Sequence, residues 1–142
     1  MEYALMVAEC DGGQYGRCSL DSIPGVLYIS TEVAWVGKNE QHLKAEGCAY
    51  KVGKIPFAAN GRALGMGEPE GFVKMLADAE TDRILGVHII GANASELIAE
   101  AVAAMEFGAA SEDIARICHA HPALSEAVHE AALACDKRAL HF

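Results

Sequence analysis

Hydrophobic and polar positions along this 142-residue chain keep a period of two through the middle and a helical period toward the end. Tyr50-Lys51-Val52-Gly53-Lys54-Ile55 alternates as a strand half-buried on a sheet does. Gly71–Ala77 and Arg83–Ile90, separated by the turn Ala79-Glu80-Thr81-Asp82, predict a β-hairpin. Its second arm, Ile84-Leu85-Gly86-Val87-His88-Ile89-Ile90, is apolar apart from His88, which predicts a strand covered on both faces. From Ala94 the spacing turns helical. Ser95–Phe107 is long, amphipathic and rich in alanines that permit close helix contact, and Gly108 closes it. Ser111 reads as the cap of a short helix, and Pro122 as a first-turn residue of a last helix over 123–134.

The first third is more broken. Residues 2–10 predict a short helix ended by Asp11-Gly12-Gly13, and a polar connector leads to Pro24-Gly25. Two short β-rich runs follow, Val26–Ser30 and Val33–Val36. Lys38-Asn39-Glu40 then opens a helix with Leu43 and Ala45 inward, closed by Gly47. Gly61, Gly65 and Gly67 predict a loop, and Trp35 and Phe72 are assigned to the core. Strands with one helix, a hairpin and then three helices give an α+β class: a mainly antiparallel sheet flanked by helices.

Twenty acidic against eleven basic residues, a net charge of −9, argue against nucleic acid and against an anionic membrane surface as partners. No apolar run approaches the ~20 residues of a membrane span, and Met1-Glu2-Tyr3-Ala4 lacks the basic start of a signal peptide. Cys10, Cys18, Cys48, Cys118 and Cys135 form an odd set without a CxxC, which suits buried thiols in a reducing, cytoplasmic setting. No GxGxxG or Walker loop occurs, so no glycine turn here cradles a dinucleotide phosphate.

The candidate chemistry lies in Cys118-His119-Ala120-His121-Pro122-Ala123-Leu124-Ser125-Glu126. A histidine both takes and gives a proton near neutrality, and a carboxylate in reach fixes its tautomer. Pro122 disfavours the helical region for His121, so the ring projects where the helix begins and Glu126 can reach back. A capping histidine with a first-turn acid favoured by the helix dipole leaves the same spacing, so both readings stand on the residues alone. Cys118, His119 and His121, with His129 or His141, match no standard zinc spacing, so no metal site is assigned. His42, His88, His129 and His141 read as ordinary surface or sheet residues.

Arg116–Ala127 resembles the C-terminal signature of the dihydrolipoamide dehydrogenase family of pyridine nucleotide–disulfide oxidoreductases. So do Ile23-Pro24-Gly25-Val26-Leu27-Tyr28, Glu32-Val33-Ala34-Trp35-Val36-Gly37, Pro56-Phe57-Ala58-Ala59-Asn60, Gly71-Phe72-Val73-Lys74, Asp82–Gly91, Glu96-Leu97-Ile98 and Met105-Glu106-Phe107-Gly108. The likeness covers about residues 22–142, and residues 1–21 resemble the end of a preceding FAD domain plus a connector. Two stretches depart from the family pattern: Ile29-Ser30-Thr31 stands where Thr-His-Pro is usual before Glu32, and Ala123 where threonine usually follows His-Pro.

The resemblance implies a dimerisation domain over 22–142 that belongs to a homodimer. It implies that the FAD and NAD domains and the redox cysteine pair lie elsewhere in the parent enzyme, so that no cofactor is expected in this chain. In that parent, His121 with Glu126 would be the acid–base dyad acting on the partner subunit's disulfide. His119 would line the thiol channel, and His121 and Pro122 would lie near the partner's flavin. Lipoyl domains of a 2-oxoacid dehydrogenase complex would be partners through the parent. The chain alone is then expected to be inactive; the alternative is a non-enzymatic homodimeric interaction module derived from the same domain.

Overall fold

The computed structural model describes residues 19–142. The helix expected over 2–10, most of the segment 1–21 read as the end of a FAD domain plus connector, Cys10 and Cys18 lie outside them. Five strands, β1 (Gly25–Leu27), β2 (Val33–Gly37), β3 (Tyr50–Pro56), β4 (Phe72–Asp78) and β5 (Ile84–Ile90), form one antiparallel sheet in the order β1-β2-β5-β4-β3. Five helices accompany it: α1 (Glu40–Ala45), α2 (Gly61–Met66), α3 (Ala94–Glu106), α4 (Ser111–Arg116) and α5 (Glu126–Cys135). The α+β class holds. None of these helices is long and apolar enough to cross a membrane.

Period-two patterning decides which face is buried. Val36 pairs with Val87, Ala34 and Val73 with Ile89, Met75 with Val87 and Ile55 with Val73, all buried. On this face α3 packs against β2 and β5, and α5 packs against β3 and β4. The alanines serve helix-on-sheet rather than helix-on-helix packing: Ala94, Ala101 and Ala104 of α3 and Ala127, Ala131 and Ala132 of α5 are all in the core. At β3 the approach is closest. A Cβ on Gly53 would stand 1.9 Å from the Ala131 carbonyl oxygen, so only a glycine lets α5 lie on this strand.

The second face differs from expectation. β5 is covered there only in part, with His88 and Ile90 half-buried; α1 is tied to the neighbouring strands, Glu40 accepting from Lys74 Nζ of β4 (3.0 Å) and Tyr50 Oη of β3 (3.2 Å). Trp35 is exposed on that face and Phe72 is half-buried beneath the Lys54 ammonium, 4.1 Å from the ring centroid, so neither is core. Within α1 only Leu43 is buried and Ala45 is exposed, because a six-residue helix presents a single position to the sheet. Gly61 and Gly65 belong to α2 rather than to a loop. Asn60 caps that helix by accepting from Ala63 N–H at 2.9 Å, and Gly67 closes it at φ +73°. Of the described cysteines, Cys135 is buried, which pushes its thiol up to about 11, Cys48 is half-buried and Cys118 is exposed, so buried thiols describe only part of the set.

Two helices are capped from a distance. Ser111 does not cap α4; it is the first helical residue, and its hydroxyl donates to Asp82 Oδ1 (2.6 Å) while Glu112 N–H donates to Oδ2 (2.9 Å). Asp82 sits at the hairpin tip at φ +63° and also meets Lys51 Nζ at 2.5 Å. For α3, Asn93 makes no side-chain cap; Glu32 accepts instead from Ser95 N–H (2.9 Å) and Oγ (2.8 Å). An anion at these helix N-termini satisfies orphan N–H groups and opposes the positive dipole end.

Gly53→Ala should therefore lose about 1–3 kcal/mol by overpacking, whereas Gly61→Ala, with open space beside it, should gain about 0.4–1 kcal/mol; urea unfolding of both variants checks the pair. Acid should also destabilise the fold. Burial pushes the Asp82 carboxyl up, but the Lys51 ammonium, the Ser111 hydroxyl and the Glu112 N–H outweigh it and leave it below the ordinary value. A lowered folded-state pKa contributes stability that is present above the unfolded value of ~3.9 and is lost as pH falls through the folded one. The urea midpoint should fall with acid below about pH 4, and Asp82→Asn should flatten that slope; equal slopes would remove Asp82 from the account.

Candidate active site

The last helix begins later than its sequence suggests. α5 starts at Glu126, not Ala123, because residues 122–125 form a turn held by side chains. Glu126 Oε2 accepts from Ala123 N–H at 2.9 Å, and Asn60 Nδ2 donates to Ala123 O at 3.0 Å. Pro122, joined to His121 by a cis peptide, thus precedes the helix and is not part of its first turn.

The other oxygen of Glu126 takes the ring. His121 Nδ1 lies 2.9 Å from Oε1, with the His121 side chain 80% exposed. Burial pushes the Glu126 carboxyl up, but the Ala123 N–H, the hydrogen bond from the His121 ring and the nearby His121 and His141 rings outweigh it, so the carboxyl sits below its ordinary value. An ionised carboxylate only accepts, so Nδ1 carries the proton in this bond. Nε2, with no partner among the described residues, presents its lone pair outward. That is the geometry of a general base whose tautomer is fixed by a carboxylate.

A cavity of about 300 Å³ borders the pair, walled by Ile55, Asn60, Leu64, His129, Glu130 and His141 among others. His129 and His141, read from sequence as ordinary surface residues, are therefore neighbours of the pair. Glu130, one turn beyond Glu126, repeats its grip: Oε1 holds His141 Nδ1 and Oε2 holds Leu140 N–H, both at 2.8 Å. The i, i+4 spacing of Glu126 and Glu130 signals a shared face. The return of the tail through Lys137 at φ +59° carries no sequence signal.

His119 goes elsewhere. Its side chain is only 7% exposed and is not among the residues walling this cavity. Nε2 lies 2.7 Å from Glu100 Oε1, Nδ1 lies 3.0 Å from Ile117 O, and the ring stacks on His129 at 5.0 Å between centroids. Cys118, His119 and His121 do not converge. Among the described residues no three His, Cys, Asp or Glu side chains are grouped to hold a metal ion.

This fold has close counterparts. The family model described as pyridine nucleotide-disulphide oxidoreductase, dimerisation domain, matches residues 23–132. The chain belongs to this family. It is 64% identical over 138 residues to dihydrolipoyl dehydrogenase of Cupriavidus necator, covering 97% of this chain and 29% of that protein. It is 57% identical over 141 residues to dihydrolipoamide dehydrogenase of Chaetomium thermophilum, covering 99% and 28%. The crystal structure of LpdA from Mycobacterium tuberculosis superposes with a TM-score of 0.82 at 24% identity, over 89% of this chain and 28% of that one. The HOCl-induced flavoprotein disulfide reductase RclA of Escherichia coli superposes with a TM-score of 0.80 at 25% identity, over 92% and 30%. The chain thus spans under a third of the length of these relatives and carries the dimerisation domain that dihydrolipoamide dehydrogenase-type disulfide oxidoreductases share.

If Glu126 sets the tautomer, ring ¹⁵N shifts of His121 should report a protonated Nδ1 and an unprotonated Nε2 in the neutral ring. Glu126→Gln, whose amide also donates, should populate the opposite tautomer; an unchanged spectrum would separate the two residues.

Proposed function

We propose that this domain supplies His121 and Glu126 as the acid–base pair of a dihydrolipoamide dehydrogenase, acting across a twofold dimer on the partner subunit's disulfide. The observation that carries the reading is the pair itself: Nδ1 is held at 2.9 Å while the rest of an 80% exposed ring faces outward. A base that served only its own chain would have its reacting groups beside it. Here the ring faces away from the core, and the remaining two-thirds and more of a relative's length supplies what it would meet.

In this reading Nε2 of His121 takes the proton of one dihydrolipoamide thiol. The thiolate attacks one sulfur of the partner's cysteine disulfide; that S–S bond breaks, a mixed disulfide forms and the displaced cysteine leaves as thiolate. Glu126 stabilises the imidazolium that results. The second substrate thiol then attacks the substrate sulfur of the mixed disulfide and closes lipoamide's own disulfide, and the cysteine sulfur released takes up that thiol's proton. FAD and NAD, held by the other domains, supply the onward electron transfer. In the full enzyme the backbone of His121 and Pro122 would lie near the partner's flavin, and lipoyl domains would bring the substrate.

Apolar exposure supports a covered surface: Tyr28, Phe107 and Phe142 are largely exposed in the single chain. An interaction module without catalysis would account for such a surface equally well; what favours the catalytic reading is the preorganised pair. In the assembled reductase, His121→Gln should lower dihydrolipoamide oxidation by ~10²–10⁴. NADH oxidation by an artificial one-electron acceptor, which needs no thiol base, should persist. Full thiol turnover in that variant would leave the interaction-module reading in place, and a monomeric reductase in sedimentation would refute action across a dimer.

A further inference from the structure

The pair does not hold itself in place. It depends on the backbone of Ala123, whose N–H donates to Glu126 and whose carbonyl, in the next peptide group, accepts from Asn60. Asn60 is 6% exposed, and each of its hydrogen-bonding groups is engaged. Its N–H donates to Phe57 O at 2.9 Å, its carbonyl accepts from Leu64 N–H at 3.1 Å, Oδ1 accepts from Ala63 N–H at 2.9 Å and Nδ2 donates to Ala123 O at 3.0 Å. The partners fix which end of the amide is which: a backbone N–H faces the oxygen and a backbone carbonyl faces the nitrogen, so a flipped amide would place donor against donor and acceptor against acceptor. Phe57, the residue on which Asn60 is braced, is itself in the core. Ile55, two residues before it, also walls the cavity of the pair.

We infer that Asn60 is a positioning residue for the His121–Glu126 pair: it holds the Ala123 carbonyl, and with it the turn, so that the N–H of the same residue in the preceding peptide group can hold Glu126, which in turn holds the ring. The inference rests on the catalytic reading above. A side chain that spends one end on capping α2 and the other on the His-Pro turn couples the edge of the sheet to the base. The acceptor end serves the helix and the donor end serves the site, and these two duties separate by substitution. Asp in place of Asn keeps the acceptor for Ala63 and the size of the side chain, but turns an oxygen toward the Ala123 carbonyl. Ser keeps a capping oxygen and falls short of Ala123.

The experiment compares Asn60→Asp and Asn60→Ser with Asn39→Ala, which removes the equivalent cap of α1 (Asn39 Oδ1 accepting from His42 N–H at 2.9 Å) at a residue not among those walling the cavity of the pair. In the chain itself, the His121 ring ¹⁵N spectrum of both Asn60 variants should show mixed tautomers, while Asn39→Ala keeps the single one. In the assembled reductase, the Asn60 variants should lose dihydrolipoamide turnover by up to ~10²-fold, the scale of a small misplacement of a reacting group. NADH oxidation by an artificial acceptor should be unchanged. Should the Asp variant not fold, the Ser variant decides. Wild-type tautomer and wild-type thiol turnover in the folded variants would overturn the inference. A loss that merely follows melting temperature, matched by Asn39→Ala, would overturn it as well. If His121→Gln keeps full thiol turnover, the catalytic reading falls, while the tautomer spectra still decide whether Asn60 holds the pair.

Discussion

The close seating of α5 on β3 is the contact on which the rest depends. With a hydrogen where a side chain would stand at Gly53, the backbone at Ala131 comes down onto the strand. That depth buries Val128 and Ala132 and sets how close to the sheet the helix carries its first turn. Since α5 begins at Glu126, the same contact fixes the carboxylate that orients His121. A helix standing higher by the width of a methyl group would carry Glu126 away from Ala123 and from the ring together. Packing and chemistry are therefore linked through the position of one helix, and small residues in the core are what let it sit so deep.

Carboxylates do much of the remaining organisation. Glu32 and Asp82 cap α3 and α4 from loops between strands, and Glu126 and Glu130 each divide their two oxygens between a backbone N–H and a histidine ring. An ionised carboxylate with two oxygens suits this, since one satisfies an orphan donor while the other takes a side chain. The Glu32 cap gives a structural reason for that glutamate beside the divergent run Ile29-Ser30-Thr31: the glutamate holds a helix, whereas those three residues make no side-chain hydrogen bonds among the described contacts.

The strands were legible because alternation reports burial directly, and β3, β4, β5 and the long helix α3 lie close to where their patterns place them. The misreadings share a cause. Ser111 looks like a cap, but Asp82 arrives from the hairpin to take the role; Ala123 looks helical, but Asn60 and Glu126 hold it in a turn; Gly61 and Gly65 look like loop residues, but Asn60 starts a helix through them. In each case a partner distant in sequence, or a capping side chain just ahead, overrides local preference. Of the site, the His121–Glu126 pairing was legible from spacing. The inward turn of His119 to Glu100 was not, nor was the arrival of His141, because both depend on helices meeting in three dimensions.

The distant caps also have a direction. Glu32 precedes the helix it caps by 63 residues, Asp82 precedes Ser111 by 29, and Asn60 precedes Ala123 by 63. During synthesis from the N-terminus each capping group has therefore left the ribosome before the segment that needs it. A nascent helix emerging at α3, at α4 or at the His-Pro turn meets a sheet that already carries its terminator. The long sequence separations that make such contacts slow to find in refolding from denaturant are, on a growing chain, encountered in the order in which they can be used.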